Sequence, residues 1–230
     1  MRSRLVPLAI AQLLLISNTA AAQNDSSASA SPDKRRSDGE WIAPLGIAVS
    51  AALDPEIREW SLREKSPSLD HLAKFANPFG TAQRLVPAMA LTYAAALLTH
   101  HDSLAIGTLN TAGAYVAADL AESVLKSVIG RERPHVDGNS RRFHPFTSNG
   151  DWHSLPSAHV THVTAIAVAA AMQTHSMPIT ALSSALVSLV SWDRVYEDQH
   201  WTSDVTASIA LASVISSATV RWLESRRQHH

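Results

Sequence analysis

The chain contains no cysteine. That one absence excludes disulfides, thiolate metal sites and cysteine nucleophiles together. Net charge is nearly absent too: 19 Lys and Arg stand against 20 Asp and Glu, leaving −1. No bulk field therefore draws nucleic acid or an acidic partner. Strict polar/apolar alternation is missing, which argues against half-buried strands, and there is no internal repeat. Most uncharged runs stop short of the ~20 residues that a membrane-spanning helix needs, and the mean hydropathy is −0.01. What is present is 230 residues, enough for one domain with a sizeable core.

The N-terminus reads as an export signal. Arg2 and Arg4 precede the apolar run Leu5–Ser17, and Ala20-Ala21-Ala22 offers a small-residue cleavage site. Residues 1–22 are thus expected to be a signal peptide, with an uncut N-terminal anchor as the alternative. Either way the chain is expected on the periplasmic side of a bacterial membrane, membrane-associated or soluble. Residues 23–40, rich in Ser, Ala and charge, carry too little apolar surface for a core and read as a flexible linker.

From Trp41 the chain alternates uncharged stretches with short polar turns. The stretches are Trp41–Leu53, Leu85–Thr99, Ser103–Ala118, Val160–Met172, Ile179–Trp192 and Val205–Val220, and their length favours helices over strands. A further amphipathic piece runs from Asp54 to Phe75. The expected fold is all-α, a helical bundle of about five to seven helices with the active site at one end. Its expected divisions are an N-terminal helical segment (41–81), the main helical domain (82–223) and a polar tail (224–230). Ala158 to Trp192 contains no Asp, Glu, Lys or Arg, and its small residues permit close helix approach, as in membranes. That tips the expectation towards membrane association.

Three clusters carry possible chemistry. "KSVIGRERP", Lys126 to Pro134, puts one lysine and two arginines where Pro134 should end a helix. Taken alone, it reads first as a cationic helix C-terminus that complements the macrodipole. "HSLPSAHVTHV", His153 to Val163, sets Ser157 as an N-cap, and the free N–H groups of that first turn suit an anion that His159 would meet. Zinc on His159 and His162 lacks a third ligand nearby, so no metal is expected. "DRVYEDQHWTSD", Asp193 to Asp204, places His200 and Asp204 four apart; on one helical turn the carboxylate would orient the imidazole. With antiparallel packing, all three clusters reach one end of the bundle. Three cations, a helix N-terminus and two histidines suit phosphoryl transfer, in which charge spreads over the equatorial oxygens.

These three segments resemble the K-x6-RP, PSGH and SR-x5-H-x3-D motifs of the type 2 phosphatidic acid phosphatase/vanadium haloperoxidase superfamily. They occur in the family's order between Lys126 and Asp204, and the surrounding helices, residues 82–223, resemble its domain. The resemblance implies that Lys126, Arg133 and Arg194 hold phosphate oxygens, with Ser157 and the Ala158 N–H. It implies that His200 attacks phosphorus, that Asp204 orients it, and that His159 protonates the leaving group and then activates water. No cofactor and no metal is implied. Two positions depart from the pattern: Ala158 stands where the family has glycine, and Asp193 stands where it has serine. Asp193 would partly neutralise Arg194 or point away.

The implied activity is a metal-independent phosphatase acting on phosphomonoesters or pyrophosphates through a phosphohistidine on His200. Its expected partner is a phosphorylated lipid, such as a phospholipid or prenyl phosphate, or a small phosphoester handled by a soluble periplasmic acid phosphatase. A vanadate-dependent haloperoxidase and a non-catalytic phosphate-binding protein are the remaining readings. The loop His135–His153, with Arg141, Arg142 and His144, either greets an anionic headgroup or is solvated.

Overall fold

The computed structural model describes residues 41–228. The signal segment and the whole of the linker expected from the sequence lie outside the described residues. Within them the protein is an all-α bundle. Its helices are α1 (Ile42–Arg63), α2 (Pro67–Ala76), α3 (Ala82–Leu98), α4 (Asp102–Ile129), α5 (Pro134–Asp137), α6 (Ala158–Thr174), α7 (Met177–Tyr196) and α8 (Thr202–Gln228). There is no β-strand among the described residues, only an isolated antiparallel bridge between Arg131 and Phe143.

Several boundaries differ from the sequence expectation, each for a local reason. The uncharged stretch ending at Leu53 and the amphipathic piece after it fuse into one helix, α1, which continues through Pro55. The break falls instead at Ser66-Pro67: the Ser66 hydroxyl accepts from the Leu69 N–H, and Pro67 opens α2 with its fixed φ. Pro134 does not end α4. Gly130 does, at φ 59°, where an added Cβ would lie 2.0 Å from the His144 carbonyl oxygen. Pro134 starts the single turn α5 instead. Residues 224–228, read as a polar tail, continue α8.

Helix α6 is the centre, packed against α4, α7 and α8. Its apolar layer near the site combines Val160, Val163 and Ala167 with Val187, Val190 and Val195 of α7 and Val205 and Ile209 of α8. Further along, Ala118, Ala165 and Ala212 meet, one each from α4, α6 and α8. Alanine in all three allows close backbone approach. Outward faces are apolar as well: Leu45 and Val49 on α1, Leu91 and Leu98 on α3, and Leu109, Leu120 and Val124 on α4 are exposed. One described helix, Thr202–Gln228, is long and apolar enough to cross a membrane.

Helices α1 and α2 do not stand apart. Arg58 of α1 makes a two-pronged ion pair with Asp198 at 2.7 and 2.8 Å, and Tyr196 donates to Asp70 of α2 at 2.6 Å. Both ties grip the α7–α8 junction, where the third sequence cluster sits.

Candidate active site

The C-terminal ends of α4 and α7 and the N-terminal ends of α6 and α8 meet at one end of the bundle. There the structure brings Lys126, Arg133, Ser157, His159, Arg194, His200 and Asp204 together. Lys126, Arg133 and Arg194 all lie within electrostatic range of both His159 and His200.

His200 lies just before α8, with 4% of its surface exposed. Its Nδ1 donates to the Ser154 carbonyl at 2.6 Å, while Asp204 Oδ2 is 3.9 Å away. The direct carboxylate–imidazole bond expected from the four-residue spacing is therefore replaced by a backbone carbonyl. Asp204 has other partners. It is the third residue of α8 and accepts from the Trp201 N–H at 2.9 Å, half of a capping box. It also accepts from the Ser154 hydroxyl at 2.5 Å and from Arg131 at 2.5 Å. Ser154 thus joins the two residues, donating to Asp204 and accepting from His200. A carbonyl accepts only, so Nδ1 carries the proton and Nε2 keeps its lone pair. Burial, and then the charges of Arg133 and Lys126, hold His200 well below the ordinary imidazole value.

The three cations are held differently. Lys126 bonds Glu122 one turn earlier on α4, a pair legible in the sequence as Glu and Lys four apart. Arg194 spends Nε (2.9 Å) and Nη2 (2.6 Å) on Asp193, whose side chain is fully buried. The Asp193 departure thus acts on the arginine directly. Arg133 donates to the carbonyls of Gly150 (3.0 Å) and Gln199 (3.2 Å) and to the Gln199 side chain. Among the described residues, Arg133 alone of the three has no carboxylate in hydrogen-bond contact.

Ser157 precedes α6, but its hydroxyl caps nothing. It is fully buried and has no hydrogen-bond partner among the described residues, while its N–H donates to Ser208 at 2.7 Å. An orphaned buried hydroxyl beside the free N–H groups of a helix start fits an anion oxygen. Ala158 is the first helical residue and has no positive φ, so the conformational freedom of glycine is not needed there. His159 follows, half-buried. A turn of 3-10 helix, Asn77–Gly80, presses on it so closely that a Cβ on Gly80 would sit 2.6 Å from the His159 Cβ. His162, one turn on, bridges the Gly80 carbonyl (3.1 Å) and Asp119 (2.6 Å). No group of three or more His, Asp or Glu among the described residues has the arrangement to hold a metal.

The loop residues singled out in the sequence divide. Arg142 is tied to Asp137 and lies over the Trp152 ring, whereas the Arg141 side chain is exposed. His153 binds the Thr147 carbonyl at 2.9 Å.

The sequence reading missed Gly80, Ser154, Glu122, Asp54 and Arg131. Asp54 carried no signal beyond a charge in an amphipathic helix, and Arg131 was one cation in a cluster of three.

Residues 107–228 match the family model described as PAP2 superfamily. The fold resembles the crystal structure of the first transmembrane PAP2 type phosphatidylglycerolphosphate phosphatase from Bacillus subtilis. That likeness has a TM-score of 0.63 and 19% identity, over 80% of this chain and 94% of that one. It also resembles Aquifex aeolicus LpxE, with a TM-score of 0.56 and 16% identity, over 74% of this chain and 95% of that one. A sequence comparison with curated proteins finds no match.

Proposed function

The chain belongs to the PAP2 superfamily, and we propose that it hydrolyses a phosphorylated lipid, as a monoester or pyrophosphate, through a phosphohistidine on His200. The observation that carries this is the fixed tautomer of His200. Its Nδ1–H is bound by the Ser154 carbonyl, so the Nε2 lone pair remains, within range of three cations.

Nε2 attacks phosphorus as the bond to the leaving oxygen breaks. Arg133, Lys126 and Arg194, with the Ser157 hydroxyl and the Ala158 N–H, take the charge on the equatorial oxygens. Burial and the three cations hold His159 below its ordinary value; a bound phosphate neutralises those cations, so that His159 takes up a proton with the substrate and supplies it to the leaving oxygen. It then takes a proton from water, whose oxygen attacks phosphorus while the N–P electron pair returns to Nε2. Inorganic phosphate leaves, and the starting proton states are restored.

A lipid substrate is supported by the exposed apolar faces of α1, α3 and α4, which suit hydrocarbon rather than water. The structural neighbour from Bacillus subtilis is a transmembrane PAP2 type phosphatidylglycerolphosphate phosphatase. The active end would face the periplasmic headgroup layer.

Purified full-length protein should release phosphate from a panel of lipid and soluble phosphoesters without added metal and in the presence of EDTA. Vanadate should inhibit it, and His200→Ala should abolish turnover. Equal, negligible turnover by wild type and His200→Ala on every member of the panel refutes the reading. Carbonate extraction of membranes tests the location, and release by carbonate alone defeats membrane embedding.

A further inference from the structure

A buried network behind the nucleophile begins on a helix outside the family-matched stretch. Asp54 of α1 is wholly buried and accepts three hydrogen bonds: from the Ser203 N–H at 2.9 Å, the Ser203 hydroxyl at 2.5 Å, and Arg131 Nη2 at 2.8 Å. Arg131, with 6% of its side chain exposed, turns Nη1 to Asp204 at 2.5 Å and to Ser203 at 2.7 Å. Its remaining donors go to the Ser140 carbonyl, and its guanidinium lies over the Trp201 ring at 5.5 Å. Asp204 then holds the Ser154 hydroxyl, and the Ser154 carbonyl holds Nδ1 of His200.

We propose that Asp54 and Arg131 are positioning residues for His200, with Asp54 setting how much of Arg131's charge is spent on Asp204. This rests on the phosphohistidine reading above. One guanidinium lies between two buried carboxylates, so the trio keeps a net negative charge behind the nucleophile. When Nε2 bonds to phosphorus while Nδ1 keeps its proton, the imidazole ring gains positive charge, and the trio faces it from 3.9 Å at Asp204. Without Asp54, Arg131 belongs to Asp204 alone and cancels it. The ring's new charge is then left unbalanced in a site of low dielectric.

The test uses the full-length protein in detergent with p-nitrophenyl phosphate as substrate, and with vanadate and inorganic phosphate as inhibitors. Vanadate bonded to Nε2 mimics the reacting geometry, whereas phosphate reads the cations. Asp54→Asn keeps shape and removes charge. It should lower kcat about tenfold or more, as loss of a carboxylate behind a working histidine does elsewhere. The vanadate inhibition constant should rise in parallel, while KM and phosphate inhibition stay within about twofold. A folded Asp54→Asn protein with wild-type kcat and vanadate inhibition overturns the proposal. Equal weakening of vanadate and phosphate also overturns it, because that marks a loosened fold rather than a mispositioned nucleophile. If Asp54→Asn does not fold, the double variant Asp54→Asn/Arg131→Gln restores the charge sum with Asp204 alone. Judged against wild type, whose charge sum it shares, vanadate inhibition by that variant should weaken by less than tenfold, and weakening of tenfold or more sinks the idea. Turnover absent in the wild type defeats the phosphatase reading and this proposal together; wild-type turnover with an unaffected Asp54→Asn defeats this proposal alone.

Discussion

Asp193→Ser is the sharpest single perturbation of the phosphate site. The Asp193 carboxylate takes both Nε and Nη2 of Arg194, at 2.9 and 2.6 Å, with 0% and 8% of the two side chains exposed. Removing one partner of such a pair leaves a buried charge and costs about 3–5 kcal/mol. A serine hydroxyl returns about 1 kcal/mol as a hydrogen bond, so without phosphate the variant should lose about 2–4 kcal/mol. At roughly 2–4 °C per kcal/mol for a chain of this size, thermal unfolding should shift clearly downward. Phosphate reverses the comparison. In the variant it meets an arginine with no competing carboxylate, and one charge-assisted hydrogen bond is worth about 1.5–3 kcal/mol. Inorganic phosphate should therefore bind about tenfold or more tightly. By linkage, the same phosphate concentration should then stabilise the variant by about 1.4 kcal/mol more than it stabilises wild type. Thermal denaturation with and without phosphate, together with the phosphate inhibition constant, measures both halves. A variant as stable as wild type without phosphate, and gaining no more from it, refutes the reasoning.

Gly80→Ala should push the Asn77–Gly80 turn off α6, because its Cβ would meet His159 at 2.6 Å; the expected cost is about 1–3 kcal/mol, with a fall in kcat larger than any change in KM, read by denaturant melts and kinetics. For pH, the sign follows from His200 being held below its ordinary value of about 6.5. The unfolded chain takes up a proton as pH falls through about 6.5 while the folded one does not. The contribution to stability is thus full above that pH and declines below it, towards the folded value. The nucleophile stays neutral over the same range, so kcat/KM should show no His200 inflection near pH 6.5. An imidazole NMR titration of wild type against His200→Ala checks this, and a resonance titrating near 6.5 that vanishes in the variant contradicts it.

The parts of this site visible in the sequence are those whose chemistry is local. Lys126 and Arg133, Ser157 and His159, and Arg194, His200 and Asp204 each occupy a short segment, and helix ends bring segments together without long-range information. The bundle was equally legible, because long uncharged stretches separated by polar turns have few other solutions. What stayed hidden depends on partners far apart in the chain. Asp54 reaches Ser203 across 149 positions, and nothing near Asp54 announces that a guanidinium waits there. Ser154 acts through its carbonyl, which every residue possesses. Gly80 matters for an atom it lacks. The helix breaks at Ser66 and Gly130 were misplaced because the onset of charge at Asp54 and the proline at 134 are louder signals than a cap or a left-handed glycine. Asp193 was noticed, yet its direction required the side-chain geometry.

The grip of α1 and α2 on the α7–α8 junction bears on modularity. The family-matched stretch, residues 107–228, contains every residue assigned to the chemistry, and looks like a part that can be cut out and moved. Polar ties cross its border, among them Asp54 to Arg131 and Ser203, Arg58 to Asp198, Asp70 to Tyr196, and the Gly80 carbonyl to His162. A fragment or chimera cut at residue 107 would inherit the arginine without its second carboxylate, and the junction without its clamp. For swapping or engineering this enzyme, the unit of inheritance therefore begins at α1.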